Sequence, residues 1–398
     1  MLAFAHKALI AVVTWLPMIS AIVTIHELGH FSVARAFGVA IDRFSIGFGA
    51  TLFSRRDRHG TEWRIGWLPL GGYVRFAGDD NAASVPDQSD LSALRRAIVQ
   101  RDGPGAERRY FAFKPVWQRA LIVAAGPVAN FILAIALFAA LSLSFGELVY
   151  SSKVGEVKAG SAAEAAGFHP GDVVLSANGR PINSFDDIDH YVVTRGGVPI
   201  DFRIQRGASQ LTLRATPRET YVDSIQGRVG QLGLGSLPGV RKRVGPIGAV
   251  ESGAAQCWDI IDLTGSYLGR LVTGQASADM LGGPIRTLQL SGAVATAATE
   301  SAPDLRTKFL ALVIGMSQLA AFISVSLGFM NLLPVPVLDG GHLVFYAYEA
   351  VARRPLAASV QMVSYRVGLA LLLGLMLFAT TNDLLRTHAF HFLGGLFS

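Results

Sequence analysis

Four long apolar tracts, almost free of charge, constrain this 398-residue chain more than any other feature of its sequence. They cover residues 8–25, 120–146, 309–338 and 367–382, and the last extends upstream through 356–365 with Arg366 between. Because about 20 apolar residues in a helix cross a bilayer core, we predict four transmembrane helices. Only 16% of the residues are charged, against about 25% in soluble domains. This pattern excludes a soluble enzyme, a disordered chain and a fibrous repeat.

The positions of the basic residues predict which connections between these helices lie on the cytoplasmic side of the membrane. Residues 35–115 carry 13 of the 35 Lys and Arg residues, and Arg353-Arg354 follow the third tract. Since such residues favour the cytoplasmic side, we predict a cytoplasmic first connection, a cytoplasmic turn near 340–355, and an outside middle domain. No small-residue cleavage site follows the first tract, so we expect it to be retained. The net charge of +6 reflects these basic connections, and no nucleic-acid partner is expected.

The sequence His26-Glu27-Leu28-Gly29-His30 closes the first tract. Residues four apart share one face of a helix, so the two imidazoles can hold one zinc ion. Glu27 is then positioned to take a proton from the attacking water. Ionisable residues inside a bilayer are costly and indicate function. The structural alternative is a hydrogen-bonded histidine pair at a helix end.

A catalytic zinc usually has three protein ligands, and residues 31–39 contain no candidate. The third tract ends in a segment, 331–342, where Pro334 and Pro336 interrupt helical hydrogen bonding. Asp339 offers a hard oxygen ligand there, and His342 is a competing candidate. An interfacial acid at a helix end is the structural alternative for Asp339.

Three motifs, HELGH (26–30), GPVANF (126–131) and NLLPVPVLDGGH (331–342), resemble the site-2 protease family of intramembrane zinc metalloproteases, peptidase family M50. The resemblance is to the bacterial regulator-of-sigma-E type in particular. It implies one zinc ion per chain with His26, His30 and Asp339 as ligands and Glu27 as the catalytic base. It further implies that Asn331, Pro334 and Pro336 face the substrate. Ser326 stands where family members often have a second asparagine.

In residues 61–78 apolar and polar residues alternate, and glycines interrupt the pattern, as in a β-hairpin. Together with residues 44–52 they resemble the family's membrane-associated β-sheet, whose edge clamps substrate as an added strand. We predict this edge at 72–76, with Gly72, Tyr73, Val74 and Arg75 contacting substrate; a purely structural hairpin is the alternative. Residues 79–109 show little periodicity, which predicts a flexible cytoplasmic loop.

Residues 153–217 contain short apolar runs separated by turns such as Asn178-Gly179, which predicts a β-rich module. Its glycine pattern resembles one PDZ domain. Residues 153–157 depart from the usual Gly-Leu-Gly-Phe loop, so we expect a steric gate rather than a carboxylate-binding site. Residues 247–273 are mildly amphipathic and predict a helix, either on the outer membrane face or packed on the protein. Cys257 is the single cysteine, which excludes an internal disulfide and a thiolate zinc site.

The predicted fold is therefore a polytopic α-helical membrane protein with four transmembrane helices, a cytoplasmic β-hairpin or sheet and one extracytoplasmic PDZ-like domain. The predicted segments are the first transmembrane helix (1–38), the β-hairpin and loop (39–115), the second helix (116–147), the PDZ-like domain (150–220), a linker with an amphipathic helix (221–306), the third helix (307–342), and the fourth helix with the tail (343–398).

The resemblance implies a zinc endopeptidase of the bacterial inner membrane, with the active site toward the cytoplasm and the PDZ-like domain in the periplasm. Its substrates are expected to be single-span membrane proteins already cut on the outside: an anti-sigma factor, a signal-peptide remnant or a polarity protein. Rival hypotheses are a transporter or proton relay built on His26, Glu27 and Asp339, and a non-enzymatic membrane scaffold.

Overall fold

The computed structural model describes residues 2–78, 88–222, 227–275, 282–300 and 303–386. The chain divides into two units, one comprising Met1–Leu137 with Pro284–Thr381 and the other Phe138–Gly283 with Asn382–Ser398. The helices are α1 Leu2–Ala36, α2 Gln88–Asp102, α3 Val116–Phe145, α4 Ala162–Ala165, α5 Phe185–Val193, α6 Pro246–Val272, α7 Pro284–Glu300, α8 Leu305–Asn331, α9 Asp339–Ala352 and α10 Ala358–Arg386.

The strands are short except for the first two. They are β1 Ile41–Arg56, β2 Glu62–Phe76, β3 Glu147–Val149, β4 Val154–Val157, β5 Val173–Ala177, β6 Arg180–Pro181, β7 Ile200–Arg206, β8 Ser209–Ala215, β9 Arg218–Val222, β10 Gly227–Gln231, β11 Leu234–Ser236 and β12 Val240–Lys242.

Four of the described helices are long and apolar enough to cross a membrane: Ala8–Ala36 in α1, Val116–Phe145 in α3, Leu305–Asn331 in α8 and Ala358–Leu384 in α10. They coincide with the four predicted tracts, and the chain is a membrane protein that also carries β-sheet. Helix α10 continues through Arg366 without a break. Helix α8 ends at Asn331 rather than near 338, since the two prolines that follow cannot continue its hydrogen bonding.

Helix α1 is held by close helix contacts on two sides. Thr14 Oγ1 lies 3.1 Å from Ser291 Oγ of α7, and Trp15 Nε1 donates to Thr287 Oγ1 at 3.0 Å. On α3, the carbonyl of Ala125 occupies the position where a side chain at Gly29 would begin. Small residues therefore let the helices approach closely around the HExxH turn.

Strands β1 and β2 pair antiparallel, and both strands bend. As a result, residues 43–46 of β1 pair with two parts of β2, residues 62–65 and residues 72–75. Phe44 lies opposite Val74 on one side and Trp63 on the other. Gly71, at φ 99°, supplies a left-handed conformation just before residues 72–76. Among the described residues, 72–76 pair only with the start of β1, so they form a sheet edge.

The turn between β1 and β2 is anchored to the end of α1. Arg35 forms an ion pair with Asp57 and donates to Thr61 Oγ1 at 3.0 Å. Trp63 Nε1 also donates to Asp57, at 3.1 Å. Burial opposes ionisation of Asp57, but Arg35, Trp63 and two backbone N–H groups outweigh it and hold the pKa of this carboxyl well below its usual range.

Two segments differ from the predicted loops. Within 79–109, where a flexible loop was expected, residues 88–102 form α2, and residues 79–87 lie outside the described part. Ile98 of α2 is buried, and Asp102 accepts a hydrogen bond from Tyr110 at 2.9 Å, so tertiary contacts stabilise a helix whose apolar periodicity is weak. Near 340–355 a turn was expected; α9 occupies 339–352, and the non-helical residues 353–357 separate it from α10.

The second unit contains the β-rich module. Its main sheet has the order β6-β5-β7-β8, and β4 pairs with β11. Fifteen buried apolar residues, among them Val174, Phe202 and Ile204, form its core. The predicted Asn178-Gly179 turn is present, with both residues at positive φ. The helix predicted at 247–273 is present as α6, Pro246–Val272. The rest of the predicted linker 221–306 contains β10 to β12 and α7 within its described residues.

Candidate metal centre

Three side chains converge inside the first unit. His26 and His30 lie one turn apart on α1, and Asp339 is the first residue of α9. Asp339 Oδ2 lies 3.2 Å from His26 Nε2 and 3.5 Å from His30 Nε2, and the two Nε2 atoms are 3.2 Å apart. The two histidine side chains and the carboxylate are between 8% and 19% exposed. Among the described residues, these three are the one group of His, Cys, Asp or Glu with metal-ligand geometry.

The donor atoms fit a zinc ion. In a tetrahedral site with ligands at about 2.0–2.1 Å, two ligand atoms are about 3.3–3.4 Å apart, and the three distances here scatter around that value. Asp339 Oδ2 is buried without a hydrogen-bond partner, which is costly for a carboxylate oxygen unless a cation sits beside it. Two imidazole nitrogens and one carboxylate oxygen are also ligands that zinc accepts in catalytic sites.

His30 is oriented by α3. Its Nδ1 lies 2.8 Å from the carbonyl oxygen of Ile122. Because that oxygen can only accept, Nδ1 carries the proton, and the lone pair of Nε2 points toward Asp339. A backbone carbonyl on the other ring nitrogen is a common partner of metal-binding histidines.

His26 is oriented by Asn130, a residue for which the sequence alone predicts no role. Asn130 is fully buried in α3, and its Nδ2 atom lies 3.2 Å from His26 Nδ1. Its Oδ1 atom is buried without a partner, and a turn of the amide brings that oxygen to Nδ1, where it accepts the proton when Nε2 binds a metal. An asparagine within the apolar motif GPVANF was the available signal.

Gly126 makes room for the two imidazoles. A Cβ atom at this position of α3 would overlap His30 Nε2 and lie 2.8 Å from His26 Nε2. Any side chain here would displace the ring nitrogens that face Asp339. The glycine of GPVANF is therefore explained by close approach of the helix backbone to the candidate metal ligands.

Glu27 contacts the edge of the β-sheet. Its Oε2 atom accepts a hydrogen bond from the backbone N–H of Val74 at 3.1 Å, and a Cβ at Gly72 would lie 3.8 Å from Glu27 Cγ. Tyr73 lies opposite Ser45, and Arg75 opposite Arg43. The structure thus brings the predicted edge, residues 72–75, beside the predicted base.

The segment after α8 lies against the same cluster. Asn331 Nδ2 is 3.4 Å from His26 Nε2. Pro334 and Pro336 lie in the irregular segment before α9, where Val337 adopts a φ of 102°, an outlier for a β-branched residue. Ser326 is not part of this arrangement, because its hydroxyl donates to the Phe322 carbonyl of its own helix at 2.9 Å.

The competing ligand candidate lies elsewhere. His342 Nε2 is 2.7 Å from the Tyr365 hydroxyl of α10, and His342 is not among the three clustered residues. Asp172, an acidic residue outside this cluster, is buried in the other unit and forms an ion pair with Arg206 at 2.7 Å. His388 and His391, near the carboxyl terminus, lie outside the described residues.

Membrane-crossing helices that enclose a histidine pair, a carboxylate and an adjacent glutamate define a membrane-embedded metallohydrolase. The model of Peptidase family M50 matches residues 14–375, and the chain belongs to this family. It is a metalloprotease of the site-2 protease class, which acts by proteolysis within the membrane.

The chain is also similar to proteins that are named as metalloproteases. The chain is 54% identical to the metalloprotease MmpA of Caulobacter vibrioides over 98% of this chain and 99% of the relative. It is 42% identical to a protein of Rhizobium meliloti over 93% of this chain and 95% of that one, and 40% identical to one of Agrobacterium fabrum over 94% and 95%. Both of the latter are named as zinc metalloproteases, which supports zinc dependence here.

Proposed function

We propose that this chain is a zinc endopeptidase that cuts single-span membrane proteins within or near their transmembrane helix, after a first cut outside the membrane. The observation that carries this proposal is the cluster of His26, His30 and Asp339 with Glu27 beside it, at the end of a membrane-crossing helix. His26, His30 and Asp339 hold one zinc ion per chain. When bound, zinc supplies the Lewis acidity that activates water and polarises the scissile carbonyl.

Glu27 is the proton carrier in this proposal. Its carboxylate takes a proton from the attacking water and delivers it to the leaving nitrogen of the peptide. The hydrogen bond from Val74 to Oε2 limits the rotation of this carboxylate. Asn331, whose amide lies beside His26, is placed to donate a hydrogen bond to the substrate backbone, and Pro334 and Pro336 keep that segment unwound.

Residues 72–75 receive the substrate in this proposal. Peptide hydrolysis needs an extended substrate, because a helix keeps its carbonyls in hydrogen bonds. Addition of the substrate as a strand to the edge formed by Gly72, Tyr73, Val74 and Arg75 solves that problem. The edge adjoins Glu27, so an added strand would run past the carboxylate that moves the proton.

The first experiment compares wild type with Glu27→Gln in liposomes, using a single-span substrate without its outer domain. Glu27→Gln should retain about one zinc per chain and lose cleavage, because Glu27 is a base and not a ligand. Glu62→Gln is the matched control, since Glu62 lies in β2, the strand whose residue Val74 contacts Glu27, but its own carboxylate pairs with Arg43 at 2.8 Å. If wild type lacks zinc, or if both forms cleave equally, a transporter or a scaffold becomes the better hypothesis.

The β-rich module acts as a size filter, in a PDZ-like role. A groove of about 230 Å³ between α5 and residues 230–234 is lined by Ile188, Val192 and Leu232, and a folded domain is far larger than this volume. Wild type should cleave the substrate without an outer domain at least tenfold faster than one that retains it. Equal rates for the two substrates would contradict the filter.

The chain lies in the bacterial inner membrane, with residues 39–115 in the cytoplasm and the module in the periplasm. This orientation rests on the basic residues of the first connection. On a Cys257→Ser background, His59→Cys and Ser209→Cys place exposed thiols on the β1–β2 turn and on β8. A membrane-impermeant maleimide added to intact spheroplasts should label Ser209→Cys alone. The anti-sigma factor, signal-peptide remnant and polarity protein remain the substrate classes to compare.

A further inference from the structure

A basic groove runs along the β1–β2 sheet, and none of His26, Glu27, His30 and Asp339 lines it. It has a volume of about 460 Å³ and is lined by four arginines, Arg55, Arg56, Arg58 and Arg64. Its floor is apolar and includes Phe53 and Trp63. The established activity uses none of these side chains.

The charge of the groove is not neutralised within the protein. Asp57 is the acidic residue of the lining, and its carboxylate is occupied by Arg35, Trp63 and the backbone N–H groups of His59 and Thr61. In the described part of the chain, no ion pair involves Arg55, Arg56 or Arg58. Three guanidinium groups are therefore available to an anion.

Two contacts between the sheet and helix α1 indicate how deep this groove lies in the membrane. At one end of the sheet, Gly71 contacts Val23, since a Cβ there would lie 3.3 Å from Val23 Cγ1. At the other end, Asp57 pairs with Arg35, twelve residues later. At 1.5 Å per residue the two contacts are about 18 Å apart along the helix, and the second lies in the last turn of the membrane-crossing helix Ala8–Ala36.

The exposed side chains of the sheet also change from apolar to basic along the direction of α1. Leu52 and Trp67, at 69% and 60% exposure, lie toward the end of the sheet that contacts the apolar part of α1. The exposed arginines 55, 56 and 58 lie at the end beside Arg35. This distribution suits a membrane surface, where apolar side chains favour the hydrocarbon and guanidinium groups favour the headgroups.

We propose that this groove binds an anionic phospholipid, with the arginines on the headgroup phosphate and an acyl chain along Phe53 and Trp63. The planar guanidinium group is suited to bidentate contact with phosphate. The argument for a lipid rather than free phosphate is the apolar floor, which inorganic phosphate cannot use, together with the depth of the groove. The proposal is independent of the proteolytic mechanism.

The test uses the full chain in nanodiscs of zwitterionic lipid that contain a small fraction of dibrominated phosphatidylglycerol or dibrominated phosphatidylcholine. Bromine quenches tryptophan fluorescence at short range, and Trp63 lies on the groove floor. The other four of the five tryptophans are replaced by Phe in all variants, so that Trp63 alone reports. The anionic lipid should quench at a several-fold lower mole fraction than the zwitterionic one. The triple variant Arg55→Gln, Arg56→Gln and Arg58→Gln should abolish that preference and leave zinc content unchanged.

The matched control removes the same charge from the same connection between α1 and α3. It carries Arg96→Gln, Arg108→Gln and Arg109→Gln, three exposed arginines outside the groove, and should keep the preference. Equal quenching by the two lipids in wild type, or equal loss in both triple variants, would overturn the proposal. So would competition by 10 mM inorganic phosphate at matched ionic strength, because it would identify a free-phosphate site.

Discussion

The backbone N–H of Val74 donates a hydrogen bond of 3.1 Å to Glu27 Oε2, which joins the free edge of the β-sheet to the glutamate of the HExxH motif. In the proposed mechanism the same strand receives the substrate. One backbone group therefore sets the position of the proton carrier relative to the strand that holds the peptide.

Val74→Pro removes this donor and should reduce cleavage about 10- to 100-fold, since a hydrogen bond to a charged group contributes about 1.5–3 kcal/mol. Proline is tolerated on an edge strand, so zinc content should stay at the wild-type level. Val74→Ala keeps the N–H and should retain most of the activity. An equal loss in both variants would show that the side chain, and not the N–H group, matters.

Asn130→Leu should weaken zinc binding about 10- to 100-fold, the range typical for loss of a partner that orients a metal-binding histidine. Asn130→Asp offers an oxygen to His26 Nδ1 and should restore most of the affinity. Competition with a zinc chelator, followed by metal analysis of the full chain, measures both. Ser324→Ala removes only the hydroxyl that bonds to the Asn130 carbonyl at 2.9 Å; if it costs as much affinity, helix packing and not the amide is responsible.

Gly126→Ala should abolish zinc retention, because its Cβ would overlap the ring nitrogen of His30. Gly374→Ala in α10 is the control, since a Cβ there meets nothing within 4 Å. Metal content after purification, with circular dichroism to verify helical content, distinguishes the two. Normal zinc content in Gly126→Ala would mean that the rings do not meet the metal at the positions described.

Asp339→Asn and His342→Gln decide between the two candidates for the third ligand. Asp339→Asn should lose most of the zinc, because Oδ2 is the atom that faces both histidines. His342→Gln should retain zinc, since its ring is engaged by Tyr365. Metal content of the purified chains is the measurement, and the reverse result would make His342 the ligand.

Asp172→Asn should destabilise the β-rich module by about 1–3 kcal/mol, the cost of leaving a buried hydrogen-bond group unpaired. Burial opposes ionisation of Asp172, but Arg206 and the N–H of His169 outweigh it, so the pKa of Asp172 is lowered. A lowered pKa means that this stabilisation is complete above the ordinary aspartate pKa near 3.9. It is lost as the pH falls through the folded-state value.

Hydrogen exchange of the full chain at neutral pH should therefore show faster exchange of β5 and β7 amides in Asp172→Asn than in wild type. Asp201→Asn is the matched control, because its exposed partner Arg214 lies 3.7 Å away and such a pair contributes little. Similar exchange in the two variants would show that the buried pair does not hold the module together.

Local features of the sequence were enough to predict the four membrane helices, the family and the residue types of the metal cluster. Apolar tracts of sufficient length and the HExxH spacing depend on local geometry alone, since residues four apart share one face of any helix. The choice between Asp339 and His342 was left to a family resemblance, because both residues lie in the same short segment.

Contacts between residues distant in the sequence follow from the packing of the helices and the sheet. His26 and Asn130 are 104 positions apart, and Glu27 and Val74 are 47 apart, and no periodicity in the sequence reports such pairs. Helices α2 and α9 were likewise missed as elements, since a weakly patterned helix is stabilised by its tertiary contacts rather than by its own propensity. The arrangement of these groups around one point follows from helix packing, which depends on contacts between distant segments.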